Sequence, residues 1–131
     1  MTKNAAILLV EDEPVTARLI QKMLENLGYT VEGIIPSGEE AIQVLEKNRP
    51  DLVILDITLA GEIDGIETAM YINEKHNIPI IYLTANTHYS VIQKAKEKTK
   101  SYGYLLKPVK GIDLHWTIST AIRRHQLEQG P

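Results

Sequence analysis

Five short apolar runs recur along the chain, and they constrain its fold more than any other feature. Strands are expected at about 6–10, 30–34, 51–55, 79–83 and 103–106. Most of the runs are continuous rather than alternating, and several are rich in Ile and Val. Such strands are covered on both faces, as in a parallel sheet. Between them lie segments of helical period. Val15, Leu19, Ile20, Met23, Leu24 and Leu27 mark one face, stopped by Gly28. Ser37 and Glu40 have capping-box spacing before Ala41, Ile42 and Leu45, and Pro50 closes that segment. Ile66, Ala69, Met70 and Asn73 mark a third face, Val91, Ile92 and Ala95 a fourth, and Leu114, Ile118, Ala121 and Ile122 a fifth.

The reading is α/β: a doubly wound, five-stranded parallel sheet of (βα)₅ form with right-handed crossovers. The expected strand order is 2-1-3-4-5. In that order ligands bind beyond the carboxyl ends of the strands, where the order reverses between strands 1 and 3. Strand 1 runs into Glu11-Asp12-Glu13, and strand 3 ends on Asp56. The topology therefore gathers carboxylates where a site is expected. Clustered carboxylates repel unless a cation joins them or one is protonated. Oxygen donors of this kind suit a hard divalent ion, Mg²⁺ first, with Mn²⁺ as an alternative. Taken singly, Asp12 or Glu13 also fits a helix N-cap before Pro14, and Asp56 the cap of a turn. Strands 4 and 5 add Thr84 and Lys107 to the same crevice, a hydroxyl and an ammonium suited to an anion that also touches a metal. Phosphate fits, and Asp56 is placed to act as a nucleophile forming an aspartyl phosphate. A cis bond at Lys107-Pro108 is allowed.

Composition closes off other classes. The chain has 131 residues, enough for one domain, read as 1–131. It has no cysteine, which excludes disulfides and thiolate chemistry. A net charge of -3 argues against a nucleic-acid surface. There is no GxxxxGK phosphate loop. His76, His88, His115 and His125 are scattered and read as surface residues. No secretory leader or membrane-spanning run is visible, so the expected location is the cytoplasm, with no membrane insertion.

Four segments, in order, resemble the receiver domain of two-component response regulators: LLVEDEP, LVILDITLAGEIDGIE, IPIIYLTA and GYLLKPV. The resemblance spans almost the whole chain and implies a flavodoxin-like fold like that of the chemotaxis regulators. It implies Asp56 as phosphoacceptor, taking its phosphoryl group from a sensor histidine kinase or phosphotransfer protein. Glu11, Asp12 and Asp56, with the backbone carbonyl of Thr58, would hold Mg²⁺. Thr84 and Lys107 would meet the phosphoryl oxygens, and Thr84 with Tyr104 would form the switch. The readout face would be the fourth helix, last strand and last helix, open to a homodimer or output partner. Lys94, Lys96, Lys98 and Lys100 make the fourth helix basic outside, and Trp116 is expected to point away from the core. The first helix would be the usual contact for the phosphodonor.

The loop after Asp56 departs from the family pattern. It lacks the proline found in many receivers and is one residue longer than the commonest form, with Gly61 and Gly65 able to turn it. Asn86 falls where members vary and is expected to shape water access to the phosphoryl group. The chain reads as a stand-alone regulator or as the receiver unit of a longer protein. Two alternatives differ in kind. A pseudo-receiver would bind partners without phosphorylation. A haloacid-dehalogenase-like phosphatase would need a second Asp two residues after the nucleophile, where this chain has Thr58.

Overall fold

The computed structural model describes residues 5–85 and 89–130. Strands and helices alternate as β1 (Ala6–Val10), α1 (Pro14–Asn26), β2 (Thr30–Ile35), α2 (Gly38–Leu45), β3 (Leu52–Asp56), α3 (Gly65–Lys75), β4 (Ile80–Thr84), α4 (Tyr89–Lys98), β5 (Gly103–Leu106) and α5 (Gly111–Glu128). The sheet is parallel, in the order β2-β1-β3-β4-β5. Each strand lies within one residue of its expected bounds, and β3 and β4 take in Asp56 and Thr84 as their last residues.

The two faces of the sheet carry separate halves of the core. Ile7, Leu9, Leu52 and Ile54 pack toward α1 and α5, against Ile20, Leu24, Leu114 and Ile118. Leu8, Val10, Val53 and Leu55 pack the other way, against Ala41, Leu45, Ile66, Ala69 and Ile72 of α2 and α3. The alternation along β1 and β3 follows from the two-residue strand period. Each large side chain buried this way contributes about 1.5–3 kcal/mol. Because both faces are covered, Asp56 and Thr84 stand at the ends of β3 and β4.

Local signals set the helix starts. Glu13 caps α1 by accepting the Thr16 N–H at 2.8 Å, with Pro14 opening the helix. Gly28, at φ 97°, turns the chain out of α1. Ser37 accepts the Glu40 N–H at 3.2 Å. The Glu40 carboxylate takes the Ser37 hydroxyl at 3.0 Å, not the backbone N–H that would complete the expected capping box. The full reciprocal box is at Asp64 and Glu67, opening α3.

Two helix faces differ from expectation. Val15 and Leu19 are 67% and 61% exposed; Ile20 and Leu24 are buried as expected, joined by Ala17. At about 100° per residue, the residues assigned to one face covered half the helix circumference. In α3, Met70 and Asn73 are exposed, while Ile72 and the hydroxyl of Thr68 are inside. Thr68 is tolerated there because its Oγ1 donates to the Asp64 carbonyl at 2.7 Å. His76, His115 and His125 are half-buried rather than on the open surface, and His115 approaches the Tyr29 hydroxyl at 3.4 Å. His88 and Asn86 lie outside the described residues.

Candidate functional site

The parallel pairing of β1 with β3 brings their carboxyl ends together. Asp56 closes β3 and is 3% exposed; Glu11 follows β1 and is 2% exposed. One carboxylate oxygen from each of Glu11, Asp12 and Asp56 falls within 4.8 Å of the others. The three acids expected to converge do so, and Glu13 is drawn off as the helix cap.

Lys107 reaches this cluster from the end of β5. Its Nζ stands 2.8 Å from Glu11 Oε1 and 3.0 Å from Asp56 Oδ2. The contact with Asp56 is a hydrogen bond. The approach to Glu11 is an ion-pair contact, and that buried oxygen has no other partner among the described residues. The other Glu11 oxygen accepts the Glu13 N–H at 3.0 Å. Burial lifts the Glu11 carboxyl above its ordinary range, against the pull of Lys107 and the Glu13 N–H, and the nearby Asp56 lifts it further. For Lys107, burial acts downward, but Glu11 and Asp56 outweigh it and hold the ammonium above the ordinary lysine value. The Lys107-Pro108 bond is cis, as the sequence allowed.

Asp56 is held on both oxygens. Oδ1 accepts the Thr58 N–H at 2.9 Å and the Thr58 hydroxyl at 3.2 Å. The sequence reading gave Thr58 a role through its backbone carbonyl alone; its N–H and side chain are both in contact with Asp56. Thr84 is 1% exposed at the end of β4, with its hydroxyl donating to the Ala85 carbonyl at 3.1 Å. Lys107 N–H donates to the Thr84 carbonyl at 2.9 Å, tying the two strand ends together. Tyr104 is half-buried on β5, stacked on Tyr82 at 5.5 Å, with Lys96 Nζ 5.7 Å above its ring.

Three features of the site had no sequence signal of their own. Asp12 Oδ2 accepts the Ala60 N–H at 3.1 Å. Glu39 Oε1 accepts the Ile63 N–H at 3.2 Å. Gly65 sits so close to β3 that a Cβ there would lie 2.1 Å from the Asp56 carbonyl oxygen. The donor set fits a divalent cation. It offers hard oxygens with negative charge in excess of the single ammonium, and one buried carboxylate oxygen with no partner but that ammonium among the described residues. The cluster is a candidate divalent-metal site.

Comparison with known proteins agrees with this geometry. Residues 7–119 match the response regulator receiver domain family. The transcriptional regulatory protein PdtaR of Mycobacterium tuberculosis is 34% identical over 118 residues, 90% of this chain and 57% of that protein. The positive alginate biosynthesis regulatory protein of Pseudomonas aeruginosa is 31% identical, over 93% of this chain and 49% of its own length. The chain thus spans about half the length of the curated relatives it matches. The signal receiver domain of a modulated diguanylate cyclase from Desulfovibrio desulfuricans superposes with a TM-score of 0.89 at 39% identity, covering 95% of this chain and 98% of that one. The receiver domain of the sensor histidine kinase PA1611 from Pseudomonas aeruginosa, with a magnesium ion coordinated in its active site cleft, gives 0.82 at 32% identity, covering 91% and 98%. With the fold, the strand-end acids and these likenesses together, the chain belongs to the response regulator receiver domain family of two-component signalling.

Proposed function

We propose that Asp56 accepts a phosphoryl group from a phosphohistidine on a sensor kinase or phosphotransfer protein, in a reaction that requires Mg²⁺. The observation that carries this reading is the setting of Asp56. It is a buried carboxylate at a strand end, oriented by Thr58 and Lys107, with Glu11 and Asp12 alongside. A carboxylate oxygen of Asp56 attacks phosphorus, the P–N bond of the donor breaks, and its electron pair returns to the imidazole, which takes up a proton. Glu11, Asp12 and Asp56, with the Thr58 carbonyl, would hold the ion. When bound, the ion offsets the repulsion between the carboxylate and the phosphoryl oxygens. The magnesium in the PA1611 receiver supports the choice of metal.

Lys107 is already in place to pair with a phosphoryl oxygen on Asp56. The Thr84 hydroxyl, which donates to the neighbouring Ala85 carbonyl, would rotate toward the new group. That motion would leave room for the half-buried Tyr104 ring to move inward, passing the event to the face of α4, β5 and α5. Leu106 and Trp116 are exposed on β5 and α5, which supports a protein partner or a second copy there. The exposed Val15 and Leu19 lie on α1, and Leu19 also borders a groove of about 480 Å³ with Met23, Lys107 and Val109. That apolar edge beside the site suits the donor protein.

Incubation with Mg²⁺ and a small acyl phosphate, read by intact mass, tests the proposal. One added phosphoryl group on the wild type and none on Asp56→Asn is the expected result. A folded, Mg²⁺-binding wild type that gains nothing would make the domain a pseudo-receiver.

A further inference from the structure

We propose that Glu39, on α2, is a positioning residue for the acidic site and acts through the loop that follows Asp56. The inference deepens the phosphoacceptor reading and rests on it. No proline stiffens residues 57–64, so their order must come from contacts. At the two ends of this loop the Ile57 N–H donates to the Leu83 carbonyl, Thr58 bonds Asp56, and Asp64 closes the capping box of α3. Leu59 is buried in the core. The Ala60 N–H donates to Asp12 Oδ2 at 3.1 Å. The Ile63 N–H donates to Glu39 Oε1 at 3.2 Å. Gly65 then docks against the Asp56 carbonyl.

The loop is shaped around the Glu39 carboxylate. Gly61 adopts φ +117°, where other residues are strained, and a Cβ there would lie 3.2 and 3.3 Å from the two Glu39 oxygens. Helix α2 can come this close because Gly38 leaves no room for a side chain. A Cβ at 38 would lie 2.0 Å from Thr68 Oγ1 and 2.9 Å from the Ile63 side chain. Independent features on three elements therefore bring one carboxylate to one backbone N–H, 24 residues apart in sequence.

The two carboxylate tethers differ in what else they do. Asp12 belongs to the acid cluster, so a divalent ion competes with Ala60 N–H for its charge. Glu39 lies outside the cluster and keeps its hold on Ile63 when the ion binds. It thereby keeps residues 57–60 closed over the site at the moment the Asp12 tether weakens. The plainer role for Glu39 is an acid in the first turn of α2, favoured by the helix dipole. Glu40, in the same turn, serves as the control for that role.

The test uses Glu39→Ala, Glu39→Gln and Glu40→Ala, with Mg²⁺ affinity measured by calorimetry and exchange of the Ile63 amide by NMR. Glu39→Ala should weaken Mg²⁺ binding measurably, by up to about five-fold, the ceiling set by one lost hydrogen bond whose loss lets the metal-free loop open, and speed Ile63 exchange. Glu39→Gln keeps an acceptor oxygen and should recover most of the loss. Glu40→Ala should bind Mg²⁺ like the wild type. Phosphorylation of Glu39→Ala by a small acyl phosphate should be slow at limiting Mg²⁺ and return to the wild-type rate at saturation. The proposal is overturned if Glu39→Ala binds Mg²⁺ like the wild type, if Glu40→Ala matches its loss, or if Glu39→Gln does no better than Glu39→Ala. A wild type that binds Mg²⁺ but takes no phosphoryl group would defeat the phosphoacceptor reading, while the titrations would still decide the role of Glu39.

Discussion

Two clusters of charge lie at opposite ends of the sheet, each built around a lysine and a glutamate. At the carboxyl ends of the strands, Lys107 faces Glu11 and Asp56, with Asp12 beside them: three acids to one ammonium. At the other end, the single carboxylate of Glu128 receives Lys100 Nζ at 2.8 Å, the Tyr102 hydroxyl at 2.6 Å and Arg124 Nε at 3.4 Å. Arg124 also lies over the Tyr102 ring, 4.7 Å from its centre. The first cluster is largely buried and short of positive charge; the second is open to solvent and rich in donors. Burial lifts the Glu11 carboxyl, whereas Lys100 and Tyr102 hold Glu128 down to about 2. Underpaired charge in a low dielectric is costly and waits for a cation. Fully paired charge in water makes a clasp of modest strength, here fastening the end of α5 beneath β5.

Breaking the first cluster should have the larger consequences. Asp56→Asn should abolish phosphorylation outright while keeping the fold, as measured by intact mass and circular dichroism. Gly65→Ala should follow, because its Cβ would lie 2.1 Å from a backbone oxygen of β3. Overpacking of this kind costs about 1–3 kcal/mol, readable in urea denaturation, and should displace Asp56 enough to impair metal binding as well. Next, Mg²⁺ at ten times its Kd should stabilise the wild type by about 1.4 kcal/mol by linkage. Chelation, or Asp12→Ala, should remove that gain.

The smallest effect belongs to the clasp. Glu128→Gln should lower Tm slightly at neutral pH. The Glu128 carboxyl is depressed from 4.5 to about 2, so its contribution is present above the ordinary carboxylate range. It is lost as pH falls through the folded value. The Tm gap between variant and wild type should therefore close as pH drops from about 4.5 toward about 2, and added salt should narrow it at neutral pH. Mg²⁺ should leave that gap unchanged, which separates the two ends of the sheet experimentally.

The sheet and the acid cluster were legible for one reason. Strands covered on both faces announce themselves as unbroken apolar runs, and the topology then dictates which strand ends meet. Asp56, Glu11 and Asp12 could be paired without any knowledge of side-chain positions. Helix faces were less legible. Ala17 is a small inward residue on α1, while the larger Val15 and Leu19 face out, so apolarity alone drew the stripe of Ile20, Met23, Leu24 and Leu27 too wide. On α3, Thr68 is buried because its hydroxyl has a local partner, a circumstance that composition does not announce. The contacts of Glu39 and Asp12 with the loop were invisible for a different reason. They join side chains to backbone N–H groups far along the chain, and backbone groups carry no residue-specific signal.

The central claim is that this one aspartate, among several acids in reach, carries the phosphoryl group. Borohydride reduction after exposure to acyl phosphate and Mg²⁺, followed by peptide mapping, tests it most directly, because it converts an aspartyl phosphate to homoserine at the residue that held it. The account predicts homoserine at position 56 alone, and none when Mg²⁺ is chelated. Homoserine at position 12, or a phosphoryl group retained by Asp56→Asn, would contradict it.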